Sequence, residues 1–151
     1  PALDRGVVVL CDRFADSTVA YQSFGRGLDR NFVDRANEFS CQGLVPDRTI
    51  LMMTGGGADV GLDRATQHKH ADRLEMAGHD FHEKVIAGYL QLAEEEPERI
   101  RVVKSDGAKP QTARRVFAQL VDIFPWMAEG ETLTDAYFEE LVEDRELLRR
   151  G

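Results

Sequence analysis

The 151-residue chain is long enough to bury one hydrophobic core, and its 42% hydrophobic and 30% charged residues are typical of globular proteins. No apolar run approaches the roughly 20 residues of a membrane span, and the net charge of −8 argues against nucleic-acid binding, which needs a basic surface. Two cysteines, Cys11 and Cys41, are too few for a disulfide framework, so we expect reduced thiols in a cytoplasmic protein without membrane or nucleic-acid partners.

Three apolar runs between turn-forming residues predict β-strands. They are Gly6–Cys11, Thr49–Met53 and Ile100–Val103. The first run has no polar alternation, which predicts a strand covered on both faces. The third run alternates more, so we expect it to lie nearer the edge of a sheet.

Four stretches with helical spacing follow these runs. They are roughly Asp29–Cys41, Ala58–Gln67, Leu74–Glu96 and Pro110–Met127. Strands alternating with helices predict parallel β-α units, and therefore an α/β fold with a parallel sheet and flanking helices.

The last part of the chain is acidic and predicts one more helix. Residues 129–151 contain eight acids and three arginines, a charge of −5, which leaves −3 for the rest of the chain. Thr134 is a plausible N-cap for a helix that extends to Arg150. We therefore expect a main domain over residues 1–127 and an acidic helical extension over 128–151. In the favoured interpretation this helix packs on the core of its own chain. In the alternative it packs against a partner subunit.

Functional residues of parallel α/β folds lie just beyond the carboxyl ends of the strands. This rule points to Asp12-Arg13, to Thr54–Gly57 and to Ser105–Lys109. We expect these three loops to converge on one crevice.

The segment after the first predicted strand combines several kinds of ligand-binding side chain. Arg13 offers a planar fork that matches a phosphate group at two points. It is followed by the hydroxyls of Ser17 and Thr18 and then by Tyr21 and Gln22. Taken alone, the Asp-Arg pair has the alternative interpretation of a salt bridge at a strand end.

The whole string is more specific than its parts. An Asp-Arg-aromatic triplet is followed in order by Ser-Thr, Ala-Tyr-Gln and Gly-Arg-Gly between Asp12 and Gly27, and this order resembles the signature of the thymidylate kinase family. Pro1-Ala2-Leu3 and Pro46–Thr49 also resemble that family, and the similarity extends over residues 1–127. It implies a P-loop nucleoside monophosphate kinase-like fold, Mg²⁺-dependent transfer of the γ-phosphoryl group of ATP to thymidine monophosphate (dTMP), and a homodimer.

The resemblance also implies a role for each residue of the string. Arg13 would bind the dTMP phosphate, Thr18 the thymine edge, and Tyr21 would pack against the 2′ position of deoxyribose. Ser17 and Gln22 would complete a polar wall. Asp12 would orient Arg13 or a metal-bound water.

Two further segments resemble the family. Asp63–Glu75 is similar to its lid, which makes Arg64 and Arg73 candidates for catalytic cations, with Lys69 behind them; the alternative is a solvated charged helix face. The loop after the last strand is similar to the segment that lies along adenine. It would use backbone contacts at Asp106, Gly107, Ala108 and Lys109.

One family feature is not found in these 151 residues. The pattern G-x-x-x-x-G-K-[ST] does not occur, and Gly55-Gly56-Gly57 lacks its lysine and hydroxyl. Thr54 also stands near the position where the family usually has an aspartate. The resemblance therefore implies the C-terminal portion of a kinase, with N-terminal strands and P-loop supplied from outside this sequence, and little activity of the chain alone.

Two other functions stay open on the sequence alone. The first is a non-catalytic, degenerate kinase fragment that binds a nucleotide or a protein. The second is a kinase for another nucleoside monophosphate. No metal site is predicted, because the four histidines between His68 and His82 lack cysteine neighbours and a full ligand set.

Overall fold

A computed structural model describes residues 1–55, 78–127, 134 and 136–140. The chain forms two compact units, one from Pro1–Val45 and Ala77–Leu92, the other from Pro46–Met76 and Ala93–Gly151. The helix predicted at Ala58–Gln67 and the first residues of the one predicted at Leu74–Glu96 lie outside the described residues. In the part of the chain that is described, no helix is long and apolar enough to span a membrane.

The first unit is helical. Its elements are α1 (Ala15–Thr18), a π-helix (Val19–Gly25), α2 (Arg30–Cys41) and most of α3 (His79–Glu95), after a short 3₁₀ turn at Leu3–Arg5. The prediction of α2 is confirmed. Asp29 caps it by accepting a 2.8 Å hydrogen bond from the backbone N–H of Phe32, and Gln42 ends it in the left-handed conformation.

The π-helix and α3 approach each other closely through two glycines. A Cβ atom on Gly25 would lie 2.6 Å from the ring of Phe81, and one on Gly88 would lie 2.6 Å from the ring of Phe24. The residues buried in this unit include Val19, Ala20, Val33, Val85 and Leu92. Small residues at both contacts therefore allow the two helices to share one core.

The predicted strand at Gly6–Cys11 is wrong. Residues 7–11 have no regular secondary structure, and the side chains of Val7, Val8, Val9 and Leu10 are 46%, 60%, 52% and 95% exposed. A strand exists only through hydrogen bonds to a neighbouring strand, and within the described residues none pairs with this run. Apolar composition alone therefore does not make a strand.

The second unit contains the sheet. β1 (Thr49–Met53) pairs in parallel with β2 (Ile100–Lys104), in a register that sets Thr49 opposite Ile100 and Met53 opposite Lys104. The prediction of a parallel sheet with flanking helices is confirmed. The N-terminal strands that the resemblance implies outside this sequence stay a prediction.

The helix predicted at Pro110–Met127 is shorter. α4 covers Lys109–Ala118 with Pro110 in its first turn, where the missing proline N–H costs nothing. Beyond it, Gln119 and Leu120 donate to carbonyls three residues earlier, and Pro125 has no N–H with which to continue a helix. The segment therefore continues as turns and a short 3₁₀ helix at Pro125–Met127.

Residues 136–140 are helical, and Thr134 accepts a 3.3 Å hydrogen bond from the backbone N–H of Tyr137, as expected of an N-cap. The side chain of Phe138 is 2% exposed. Its ring packs edge-on against Phe117, with centroids 5.4 Å apart. This part of the acidic extension therefore docks on α4 of its own chain. The division at residue 128 stays a prediction.

Candidate active site

Arg13 occupies an unusual backbone conformation. Its φ angle is 64°, in the left-handed region that residues other than glycine seldom adopt. The thiol of Cys11 donates to its carbonyl oxygen at 3.3 Å. Outliers of this kind cost about 1–3 kcal/mol and concentrate at functional sites, which makes Arg13 a candidate on structural grounds as well.

The side chain of Arg13 is held by Tyr21. Its Nη1 donates to the Tyr21 hydroxyl at 3.2 Å, and its guanidinium carbon lies 5.4 Å from the centre of the Tyr21 ring. The pKa of Arg13 is raised, first by the charge interaction with Tyr21 and also by the hydrogen bond and the nearby Asp12. Arg13 is therefore a fixed cation whose remaining N–H groups can meet a phosphate.

The other residues of the predicted string follow on one continuous helical segment. Ser17 and Thr18 end α1, and Thr18 is exposed. Tyr21 and Gln22 stand in the π-helix that follows, a rare conformation that is frequent at functional sites. The side-chain oxygen of Gln22 accepts a 3.2 Å hydrogen bond from Arg26. The structure therefore gathers Arg13, Ser17, Thr18, Tyr21 and Gln22 in the first unit.

Helix α3 adds two aromatic residues that sequence reasoning missed. Phe81 and Tyr89 both stand edge-on to Tyr21, with ring centroids 5.9 and 6.4 Å away. The Tyr89 hydroxyl also donates to Ser17 Oγ at 2.7 Å. Phe81, Val85 and Tyr89 recur every four residues, so helical periodicity could have placed them on one face, but not against Tyr21.

The two strand-end loops of the second unit are joined to each other. The carboxylate of Asp106 accepts a 2.6 Å hydrogen bond from the backbone N–H of Gly55, and the Ser105 hydroxyl donates to the carbonyl of Met53 at 3.1 Å. Nη1 of Arg115 donates to the backbone carbonyls of Lys104 and Asp106. Two of the three predicted loops thus meet beyond the strand ends.

The rest of the predicted adenine loop continues into α4. Gly107 has a φ of 92°, a conformation that glycine adopts without strain. Ala108 is the N-cap residue and Lys109 the first residue of the helix. The loop is anchored at its start by the hydrogen bonds of Asp106 and at its end by helix α4. An anchored backbone is suited to the main-chain contacts with adenine that the resemblance implies.

Several predictions are left open. Arg64, Lys69 and Arg73 lie outside the described residues, and so does the whole predicted lid, Asp63–Glu75. The convergence of all three loops on one crevice likewise stays a prediction.

A group of potential metal ligands stands at the beginning of α3. His79, Asp80 and Glu83 each offer one atom within 4.8 Å of the others, and all three are exposed. His79 Nδ1 is 3.6 Å from the Glu83 carboxylate. The positive end of the helix dipole disfavours a cation in this first turn, so we assign no metal role to the group.

Comparison with known proteins agrees with the motif. The family model described as thymidylate kinase matches residues 1–116. Several relatives are named thymidylate kinase. The one from Trichlorobacter lovleyi is 43% identical, and the match covers 77% of this chain and 57% of the relative. The one from Clavibacter michiganensis is 48% identical, and the match covers 74% of this chain and 51% of the relative. The relative from Gloeobacter violaceus is 40% identical, and the match covers 82% of this chain and 58% of the relative.

The chain spans a little over half the length of each of these relatives. The family match nevertheless covers most of the chain, from the segment before Arg13 into α4. It includes the strand-end loops and the helix that bears Tyr89. On these grounds the chain belongs to the thymidylate kinase family.

Proposed function

We propose that this chain forms the dTMP-binding part of a thymidylate kinase, which transfers the γ-phosphoryl group of ATP to dTMP and yields thymidine diphosphate. The observation that supports this most directly is the Arg13–Tyr21 contact, since it ties a phosphate-binding cation to an aromatic residue eight positions away. The names of the relatives point to the same activity.

In this proposal Arg13 binds the dTMP phosphate and Tyr21 packs against the 2′ position of the sugar. Thr18 meets the thymine edge, while Ser17 and Gln22 form the polar wall. This kind of catalysis depends on positioning the phosphoryl donor and acceptor and on stabilising their charge, and it needs little covalent chemistry from the protein. The fixed guanidinium of Arg13 would help to position the acceptor phosphate and to stabilise its charge.

The phosphoryl donor would be ATP with Mg²⁺, which neutralises phosphate charge when bound. Mg²⁺ commonly takes one or two carboxylates, often through its waters, and Asp12 offers an exposed carboxylate beside Arg13. The loop Asp106–Lys109 would lie along the adenine. Arg64 and Arg73 would act as cations of the lid. The P-loop would come from sequence outside these 151 residues, so we expect the chain alone to be inactive, and we expect the complete protein to be a homodimer.

The test is a titration of dTMP into the full-length protein encoded by the intact gene, together with an assay of ADP formation. Arg13→Ala should weaken dTMP binding about 10- to 100-fold, because a charge-assisted contact to phosphate is lost. Arg35→Ala, an exposed arginine of α2, is the matched control and should bind normally. Unchanged binding in Arg13→Ala would overturn the proposal.

The alternative is a non-catalytic fragment that binds a nucleotide or a protein. Thr54 favours it, since it stands near the position where the family usually has an aspartate. A full-length protein that binds dTMP through Arg13 but forms no ADP would establish this alternative. Equal use of other nucleoside monophosphates would instead favour a different kinase specificity.

A further inference from the structure

We propose that Tyr89 is a positioning residue of the dTMP site, which sets the Ser17 hydroxyl and the Tyr21 ring for the deoxynucleotide. This inference rests on the proposed function. Tyr89 lies in no sequence motif of the site, and 72 residues separate it from Ser17 in the chain. It reaches the site only through the packing of α3.

The first contact is a hydrogen bond between two hydroxyl groups. The Tyr89 hydroxyl donates to Ser17 Oγ at 2.7 Å, and the pair is part-buried. Burial raises the pKa of Tyr89 above its ordinary value, against the opposing effect of the Ser17 bond. The phenol therefore keeps its proton at neutral pH, and the hydrogen bond joins two neutral hydroxyls.

This contact fixes the place of the Ser17 hydroxyl. A serine hydroxyl has one proton and two acceptor lone pairs, so it keeps hydrogen-bonding capacity for a ligand after it has bonded Tyr89. Carbonyl and hydroxyl groups of a nucleotide are suitable partners. Tyr89 thus positions Ser17 for the ligand.

The second contact orients Tyr21. Tyr89 and Phe81 stand edge-on to its ring, at interplanar angles of 81° and 66°. Edge-to-face pairs stabilise beyond the burial of their surface and depend on geometry. The Tyr21 hydroxyl also accepts a hydrogen bond from Arg13. The packing of α3 against Tyr21 therefore also affects the position of the Arg13 guanidinium.

Tyr89→Phe separates the two contacts, because it keeps the ring and removes only the hydroxyl. We expect the dTMP dissociation constant and the KM for dTMP to rise about fivefold in the full-length protein, which corresponds to one neutral hydrogen bond. The KM for ATP and kcat should not change. Tyr137→Phe is the matched control, since Tyr137 contacts Phe117 and Phe138 in the second unit, and it should bind dTMP normally.

A double-mutant cycle tests whether Tyr89 acts through Ser17. In a Ser17→Ala background, Tyr89→Phe should cost less than twofold in dTMP affinity. The same fivefold loss in both backgrounds, or no loss in the wild type, would overturn the inference. A loss of kcat together with a lowered melting temperature would also overturn it, because it would indicate a general structural role.

Arg13→Ala in the same titrations separates the two proposals. If Arg13→Ala weakens dTMP binding and Tyr89→Phe does not, only the positioning role fails. If wild type fails to bind dTMP, or Arg13→Ala binds as well as wild type, the proposed function fails and the role of Tyr89 falls with it.

Discussion

The Asp106 carboxylate lies 2.6 Å from the backbone nitrogen of Gly55 and joins the loops that follow two parallel strands. A Cβ on Gly55 would lie 2.6 Å from the same carboxylate. Glycine at this position therefore permits the close approach that the hydrogen bond needs.

Asp106→Ala should destabilise the second unit by about 1 kcal/mol, because the Gly55 N–H loses its partner at a largely exposed site. The single tryptophan, Trp126, belongs to this unit, so its fluorescence during urea unfolding reports the change. Asp106→Asn keeps an acceptor oxygen and should lower the free energy of unfolding by less. The exposed Asp47→Asn is the control and should leave it unchanged. Equal midpoints for Asp106→Ala and wild type would contradict this expectation.

Gly88→Ala should destabilise the first unit by about 1–3 kcal/mol, although alanine favours helices more than glycine does. The new methyl group would lie 2.6–2.8 Å from Cγ, Cδ2 and Cβ of Phe24, which are close to the backbone and cannot swing away easily. Thermal unfolding followed by circular dichroism measures the effect. Lys84→Ala, at an exposed position of the same helix, is the control and should unfold near the wild-type temperature.

The stability of the second unit should depend on Asp122 in acid. A hydrogen bond from Arg48 lowers the pKa of Asp122 below its ordinary value. The stability that this hydrogen bond contributes is fully present above the pKa of Asp122 in the unfolded chain. It disappears as the pH falls through the lower pKa of Asp122 in the folded chain. Asp122→Asn should therefore be less stable than wild type near pH 6, and the difference should shrink below about pH 4. A constant difference across that range would exclude this ion pair as its cause.

Tyr21 should have two separable effects in the full-length enzyme. Tyr21→Phe removes the hydroxyl that holds Arg13 and should raise the KM for dTMP about 3- to 10-fold, while it still discriminates against 5-methyluridine monophosphate. Tyr21→Ala removes the ring as well and should lose that discrimination. If Tyr21→Ala still rejects the ribonucleotide, the ring does not read the 2′ position.

The elements that the sequence predicted well are those with local signals. The helical stretch predicted over roughly Asp29–Cys41 is confirmed as α2, and the breakers around Thr49–Met53 mark β1 correctly. Gly6–Cys11 has an equally strong apolar signal and is not a strand, because pairing partners are not a local property. The π-helix at Val19–Gly25 was not predicted either, since its widened turn depends on what packs against it.

The candidate site divides in the same way. Arg13, Ser17, Thr18, Tyr21 and Gln22 stand close together in the sequence, so a motif could identify them. Tyr89 and Phe81 come from a helix about 60 to 70 residues later. Their helical face could be predicted, but the contact with Tyr21 required the fold.

The exposed run Val7–Leu10 also affects how the chain behaves in solution. Exposed apolar residues with no strand beside them in the described structure can pair with another copy of the chain. Prepared alone and concentrated, the chain would self-associate through this run. Colloidal solubility, rather than the strength of the helical core, would then limit the concentration that can be reached. Val8→Lys or Leu10→Lys would raise that limit.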